Sequence, residues 1–436
     1  MGDTPRSQTV STKLQRIAER AVEYPDMVFT TLAHLIDVDC LKEAFRRTRK
    51  QAAPGVDGVT AAEYARDLDA NLRDLYQRMR SGTYRAQPVR RGWVPKDGGG
   101  DRPIGITALD DKIAQRAVTM ILEAIYEQSF HDFSYGFRPG RRPHAALKEL
   151  RDQALGLNIS WVLDADISGF FDSLDHSHLR EIIQRRVNDG GILRYIGKWL
   201  NAGVLDEGKL TYPETGTPQG GVISPMLSNI FLHTVLDEWF EREVKPCMRG
   251  RCFMIRFADD FVIGFEREDD ARRMMDVLPK RFARFGLTVH PDKTRLVPFG
   301  RPGRDDESGK GAGTFDFLGF THYWAKSRRG FWIIKRKTKR KRLSRALKAV
   351  WQWCRKHRHV HVMEQYRALC SKLRGHYQYF GIRGNFRALQ LLYERVRRAW
   401  RFWLSRRCSK GHVPWDAFEE RSRVFRLPVP RIVHCV

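Results

Sequence analysis

The chain is 436 residues long, 42% hydrophobic and 11% aromatic, with a formal charge of +27. That length is enough for a large buried core and two or three domains. No apolar run approaches the roughly 18 residues a membrane helix needs, and the polar N-terminus has no apolar centre, so it does not read as a signal peptide.

The charge is unevenly placed. From Lys326 onward 31 Lys and Arg face 5 Asp and Glu, whereas residues 1–325 carry 47 against 46. Seven of the eleven tryptophans (324, 332, 351, 353, 400, 403, 415) lie in or beside that basic quarter. Cations so localised, with aromatics between them, fit a nucleic-acid-binding module better than a solvated face or a membrane-surface patch. The seven cysteines are scattered. Only Cys247 and Cys252 are close together, and that pair has no His or Cys partners at zinc spacing. They read as free thiols of a cytoplasmic protein.

In chain order, residues 1–50 read as a helical extension. Its apolar stripes are Leu14, Ile17, Ala18 and Ala21, then Leu32, Leu35 and Ile36, then Leu41, Ala44 and Phe45. Asp39 is the expected cap of the third segment. A glycine-punctuated turn, Ala53-Pro-Gly-Val-Asp-Gly-Val-Thr60, precedes a helix expected over residues 61–80. Val89 to Pro95 reads as a strand entering a turn that places Lys96 and Arg102 on either side of a glycine run. Two cations there can meet a polyphosphate, because glycines permit close backbone approach. By local sequence alone an ordinary exposed hairpin with two solvated cations is the favoured reading. A helix is expected over residues 110–128.

Trp161-Val-Leu-Asp-Ala-Asp-Ile167 reads as a strand with Asp164 and Asp166 on one face, followed by Ser-Gly-Phe-Phe-Asp172. A carboxylate at a buried strand end is costly unless it is paired or metal-bound. An Arg partner suits Asp164, Asp172 or Asp175, and suits Asp166 less well, because Asp166 stands where the strand leaves into a glycine turn. Asp175 is the expected cap of the next helix. Gly216-Thr-Pro-Gln-Gly-Gly221 is a loop able to press backbone and the Gln219 amide on a planar ligand, before a helix expected over residues 224–240.

Arg256-Phe-Ala-Asp-Asp-Phe-Val-Ile-Gly-Phe265 sets two adjacent carboxylates between apolar runs. It reads as a hairpin with Ala258, Asp259 and Asp260 at its turn. Strand alternation would send the two aspartates to opposite faces, so that a metal leans mainly on one of them. Taken alone, the pair is also an ordinary Asp-Asp turn. A helix over 269–285 and a second hairpin from the runs 315–320 and 331–334 follow. The basic quarter then gives three amphipathic helices, the third capped by Asn385, and a proline-containing tail.

Two separated acidic strand ends beside a basic module suit two-metal phosphoryl transfer. Three aspartates without His or Cys suit Mg²⁺, with Mn²⁺ able to stand in.

In family order, the chain resembles the reverse transcriptases and maturases encoded by bacterial group II introns. The matching blocks are Ala53-Pro-Gly-Val-Asp-Gly-Val-Thr60, Arg102-Pro-Ile-Gly-Ile106, Ser134-Tyr-Gly-Phe-Arg-Pro-Gly-Arg141, Asp166-Ile-Ser-Gly-Phe-Phe-Asp172, Thr217-Pro-Gln-Gly-Gly-Val-Ile-Ser-Pro225, Phe257-Ala-Asp-Asp260, Leu287-Thr-Val-His-Pro-Asp-Lys293 and Phe317-Leu-Gly319. The family usually has Tyr where Phe257 stands, and loss of one hydroxyl leaves metal binding intact.

The resemblance implies an α+β right hand: fingers and palm over 51–325, an antiparallel palm sheet, and a helical thumb or maturase region over 326–410. Residues 411–436 are then a short tail without an endonuclease domain. It implies two Mg²⁺ ions on Asp166 and Asp259 with Asp260 accessory, and nucleotide contacts from Lys96, Arg102, Gln219 and Lys293. Phe171 becomes the steric gate against a 2′-hydroxyl, and Phe317, Leu318 and Gly319 the primer grip. Arg336, Lys337, Lys339 and Arg340 are the expected RNA contacts. The implied partners are an RNA template, a DNA primer, dNTPs and a structured intron RNA, in the bacterial cytosol and with no membrane. Alternative readings are a domesticated relative, for instance in phage defence, and a splicing cofactor with incidental polymerase activity.

Overall fold

Period-two burial organises the centre of the molecule. The computed structural model describes residues 9–95, 100–206, 209–212, 216, 220–303, 313–408 and 411–435, with only the backbone of Pro95 and Arg102. Its strands are β1 (Val89–Pro95), β2 (Asp101–Ile106), β3 (Trp161–Asp166), β4 (Val204–Asp206), β5 (Lys209–Thr211), β6 (Cys252–Phe257), β7 (Asp260–Phe265), β8 (Arg295–Pro298), β9 (Phe315–Phe317), β10 (Phe320–Lys326) and β11 (Trp332–Thr338).

The central sheet runs β6-β7-β3-β8, every pair antiparallel. One face presents Leu163, Ala165, Met254, Phe261, Ile263 and Phe265 to the largest core, which includes the buried helix Leu109–Tyr126. The other face presents Val162, Phe253, Ile255 and Val262 to a second core shared with β9, β10 and β11. A sheet covered on both sides must be apolar on both sides, which is why these strands read as continuous apolar runs. Only their ends can carry charge cheaply.

A second sheet, β2-β1-β4-β5, contains one parallel pair, β1 with β4. A third, β11-β10-β9, leads into three helices, Arg340–Lys356, Val362–Phe380 and Phe386–Leu404, packed around Val350, Leu369, Leu373, Leu392, Val396 and Trp400.

Several expectations are corrected. The third segment of the extension, the helix Val38–Arg47, is capped by Asp37, which accepts from Cys40 N, and not by Asp39. Of the apolar set Leu32, Leu35 and Ile36, only Leu35 is helical, in a single 3₁₀ turn, Ala33–Leu35, that the other two flank. The helix expected over 61–80 is split by a 3₁₀ turn at Ala65–Asp67. The helix at Ser224 passes at Leu232 into π-helical turns, His233–Asp237 and Phe240–Val244. The run at 315–320 is itself a hairpin, β9 and β10, because Leu318 and Gly319 both take positive φ (+50° and +79°) and close a two-residue turn. Asn385 does not cap its helix through its side chain. It accepts from Thr338 N and donates to Thr338 Oγ1, both at 2.8 Å. The tail contains a helix, Trp415–Val424, and beyond it His434 bridges to Ile382.

All seven cysteines are unpaired thiols. Among the described residues, no helix is long and apolar enough to cross a membrane.

Candidate catalytic site

The hairpin between β6 and β7 turns on two residues, Ala258 and Asp259, with Phe257 paired to Asp260. Ala258 has φ +59°, unusual for a residue with a side chain, and the surroundings impose it. A Cβ on Gly136 would lie 2.2 Å from Ala258 N, so only glycine lets this segment approach. Arg256, wholly buried, donates to Ala258 O (3.1 Å), Asn229 Oδ1 (3.1 Å) and Asp237 Oδ1 (2.7 Å). Asn229 in turn donates to Gly136 O (2.7 Å). Burial alone would raise the Asp237 carboxyl, but the Arg256 charge prevails and holds it below its usual range. The block at 134–141 thereby acquires a physical role: with Asn229, Asp237 and Arg256 it braces the acidic turn. Sequence reasoning gave these residues no function. A visible signal was the lone arginine inside an apolar strand.

Asp166, the last residue of β3, stands directly across from Asp260, the first of β7. Opposed residues of an antiparallel pair project to the same face. Asp259 sits in the turn, where strand alternation no longer applies. The Asp260 carboxyl is pushed up to about 8, by desolvation first and then by Asp164, Asp259 and Asp166; a hydrogen bond from Leu318 N opposes this. Asp166 Oδ2 meets Lys293 Nζ at 2.5 Å, and Asp166 O accepts from His290 N at 2.8 Å, which anchors the Lys293 loop to the strand end. Asp164 is partnered by Arg295 at 3.3 Å, as expected of a structural carboxylate, though burial still pushes it up to about 6. Asp175 caps the helix His176–Gln184 through His178 N.

Burial, then the carboxylates of Asp164, Asp259 and Asp166, disfavour the charged form of Asp260, so a cation beside it would be stabilised. The donors are hard oxygens, with no nitrogen or sulfur among the aspartates, so the set fits a divalent cation of the Mg²⁺ type.

The remaining predicted residues fall unevenly. Lys96 and Gln219 lie outside the described residues, as does the Arg102 side chain; the Arg102 backbone pairs with Val94 at the end of the β1–β2 hairpin. Phe171, on the short helix Phe170–Ser173, is partly buried and packs edge-to-face on Phe170 at 5.4 Å. Phe317 is buried, and the Leu318–Gly319 turn is fixed from behind, since Tyr379 Oη donates to Leu318 O (2.9 Å) and Lys339 N to Gly319 O (3.0 Å). The bond from Leu318 N to Asp260 brings this turn to the aspartates.

Lys337 is exposed over the Tyr323 ring, Lys339 pairs with Asp316 at 3.2 Å, and Arg340 is exposed at the start of its helix. Arg336 is a correction. It is 2% exposed and donates to Leu147 O at 3.0 Å, because it falls on the inward face of β11 with Trp332 and Ile334. It cannot reach an RNA from there.

The family model for reverse transcriptase (RNA-dependent DNA polymerase) matches residues 94–322, which hold β3, the acidic hairpin, β8 and β9. The chain belongs to this family. It is accordingly an RNA-directed DNA polymerase. It is 38% identical to protein YkfC of Escherichia coli over 288 residues, 58% of this chain and 75% of that protein. It is 36% identical to the group II intron-encoded protein LtrA of Lactococcus lactis over 281 residues, 62% of this chain but only 46% of LtrA. Nuclear intron maturase 2 of Arabidopsis thaliana matches at 28% over 237 residues, 45% of this chain and 30% of the maturase. These relatives agree with the group II intron resemblance carried by the ordered sequence blocks.

Proposed function

We propose that this reverse transcriptase copies RNA into DNA by two-metal nucleotidyl transfer and also binds a group II intron RNA as a maturase. In this reading the chain is a right hand: an extension over 1–50, fingers and palm over 51–325, a thumb or maturase region over 326–410, and a tail over 411–436. The observation that carries it is the pairing of Asp166 with Asp260 beside Asp259, at the tip of a sheet that is apolar on both faces apart from Asp164 and Arg256, each of them paired.

Asp166 and Asp259 would hold two Mg²⁺ ions, with Asp260 the lesser ligand. The chemistry Mg²⁺ supplies when bound is a more acidic primer 3′-hydroxyl and charge neutralisation on the leaving pyrophosphate. The chain's own residues do the positioning. The Arg256 brace holds the aspartates still, and the Leu318–Gly319 turn, bonded to Asp260, sets the primer end against them. Phe171 narrows the space beside the nucleotide sugar, Gln219 lies near the base pair, and Lys96, Arg102 and Lys293 meet the triphosphate. The attacking oxygen forms a bond to the α-phosphorus as the bond to pyrophosphate breaks, and the hydroxyl proton passes to solvent.

The basic helices, with Lys337, Lys339 and Arg340 at their entrance, suit a structured RNA, because cations on one face sum into a field that attracts phosphate. Primer extension on an RNA template with Mg²⁺ and dNTPs tests the polymerase assignment. Asp259→Ala should abolish extension, and wild-type activity in that variant would overturn it.

A further inference from the structure

Away from the aspartates, His131, His233 and Glu238 bring one ligand atom each to within 4.8 Å of one another. Glu238 Oε1 is the shared point, 2.8 Å from His131 Nε2 and 3.6 Å from His233 Nε2. Donor atoms on a tetrahedral zinc ion with bonds near 2.0–2.1 Å stand about 3.3 Å apart, so small side-chain adjustments would seat one.

The backbone explains why these residues meet. His233 and Glu238 are five positions apart, and on an α-helix such residues point roughly 140° away from each other. Here the chain takes a π-turn over His233–Asp237, closed by Glu238 N donating to His233 O, and the wider turn carries both side chains to one side. Single π-turns of this kind recur at functional sites. His131 is held flat on Phe133, with ring centroids 5.0 Å apart at 7°, and Phe130 meets the edge of His233 at 5.3 Å. The other Glu238 oxygen is taken by Arg242 at 2.8 Å, which leaves Oε1 for the histidines.

The inner ring nitrogen adds a further observation. His233 Nδ1 is buried without a hydrogen-bond partner, while Asp237 Oδ2 lies 3.8 Å away. A metal on Nε2 would place the proton on Nδ1, facing that carboxylate, the arrangement that orients metal-bound histidines. His131 and Glu238 keep about a quarter of their side-chain surface in solvent, so an ion and a fourth, water ligand have access.

We propose that His131, His233 and Glu238 form a binding site for a zinc-type transition metal, separate from the catalytic aspartates. Two imidazoles and one carboxylate suit Zn²⁺ or Co²⁺ and not Mg²⁺. The ion ties the 130–138 segment to the π-helical stretch on either side of Asp237, and so stiffens the brace that Asp237 and Arg256 build under the acidic turn.

The test uses the full chain, stripped with a chelator and kept in excess Mg²⁺ so that the aspartates are occupied. In equilibrium dialysis against Zn²⁺, the wild type should retain one more ion per chain than His131→Ala or Glu238→Gln. Co²⁺ should give the intense visible bands of a four-coordinate ion in the wild type only. Zn²⁺ should raise the melting temperature of the wild type and leave both variants unmoved. Because His131 is partly exposed, its variant should fold, and circular dichroism verifies that. Equal zinc retention in the three proteins, as exposed Cys247, Cys408 or Cys435 alone would give, overturns the proposal. Weak octahedral cobalt bands in the wild type do the same, and leave the cluster a histidine–carboxylate hydrogen bond.

Discussion

Replacing Asp237 by Asn removes the charge that faces Arg256 without changing the side chain's shape. Both side chains are 0% exposed, and the guanidinium has no route to water. Removing one partner of such a pair costs about 3–5 kcal/mol, because the remaining charge stays buried and uncompensated. Arg256 also holds Ala258 O at 3.1 Å, so the acidic turn loosens with it. A displacement near 1 Å at reacting groups costs roughly 10²-fold in rate. Asp237→Asn should therefore lose about 3–5 kcal/mol in urea unfolding and about 10²-fold in single-nucleotide incorporation on an RNA template. The double variant Arg256→Met/Asp237→Leu separates the two effects. An apolar pair of similar volume should recover most of the stability, but it cannot donate to Ala258 O, so the rate should stay low. An Asp237→Asn protein with wild-type stability and rate would refute the reasoning. So would an apolar double variant that restores both.

The surface cations make a graded set. Lys337→Gln with Arg340→Gln should lower the slope of log affinity against log salt by about 1.4–1.8 in an RNA-binding titration, while Arg336→Met should leave the slope unchanged and lower the melting temperature, since Arg336 faces Leu147 O and not solvent. Phe171→Ala should relax discrimination against ribonucleotides by roughly 10–200-fold, as measured by competing dNTP and rNTP incorporation. His322 is buried against Phe315 at 4.8 Å, and burial, then the Arg336 charge, hold its imidazole down to about 3. The group stays neutral in the fold and charges in the unfolded chain, so its contribution is complete above the unfolded value of about 6.5 and is lost as pH falls toward 3. Between pH 7.5 and 5.5 the wild type should lose about 1.4 kcal/mol more than His322→Phe in urea unfolding.

Much of the centre was legible because it obeys one rule. Strands buried on both faces read as apolar runs, so the acids at their ends stood out, and Asp166 and Asp259-Asp260 could be singled out without a structure. The same period-two rule, applied to β11, would have turned Arg336 inward with Trp332 and Ile334. Its charge outweighed its position in the sequence reading. The brace was not legible. Asp237 and Arg256 are separated by a π-helical stretch and a turn, and no local pattern says which of the acids Asp237, Glu238, Glu241 and Glu243 meets the lone arginine on the next strand. Nor can periodicity predict a π-turn, so His233 and Glu238 appear unrelated in sequence. The split of the run 315–320 depended on Leu318 taking a positive φ, a conformation that leucine does not advertise.

The account stands on the two strand ends acting as one site. Single-turnover incorporation of one dNTP on an RNA template should be measured for the wild type, Asp166→Asn, Asp259→Asn and the double variant. Residues that work as a unit fail together, so each single change should abolish incorporation and the double should be no slower than either. If the two losses are modest and multiply, or if either variant keeps wild-type incorporation, Asp166 and Asp259 do not form one catalytic centre.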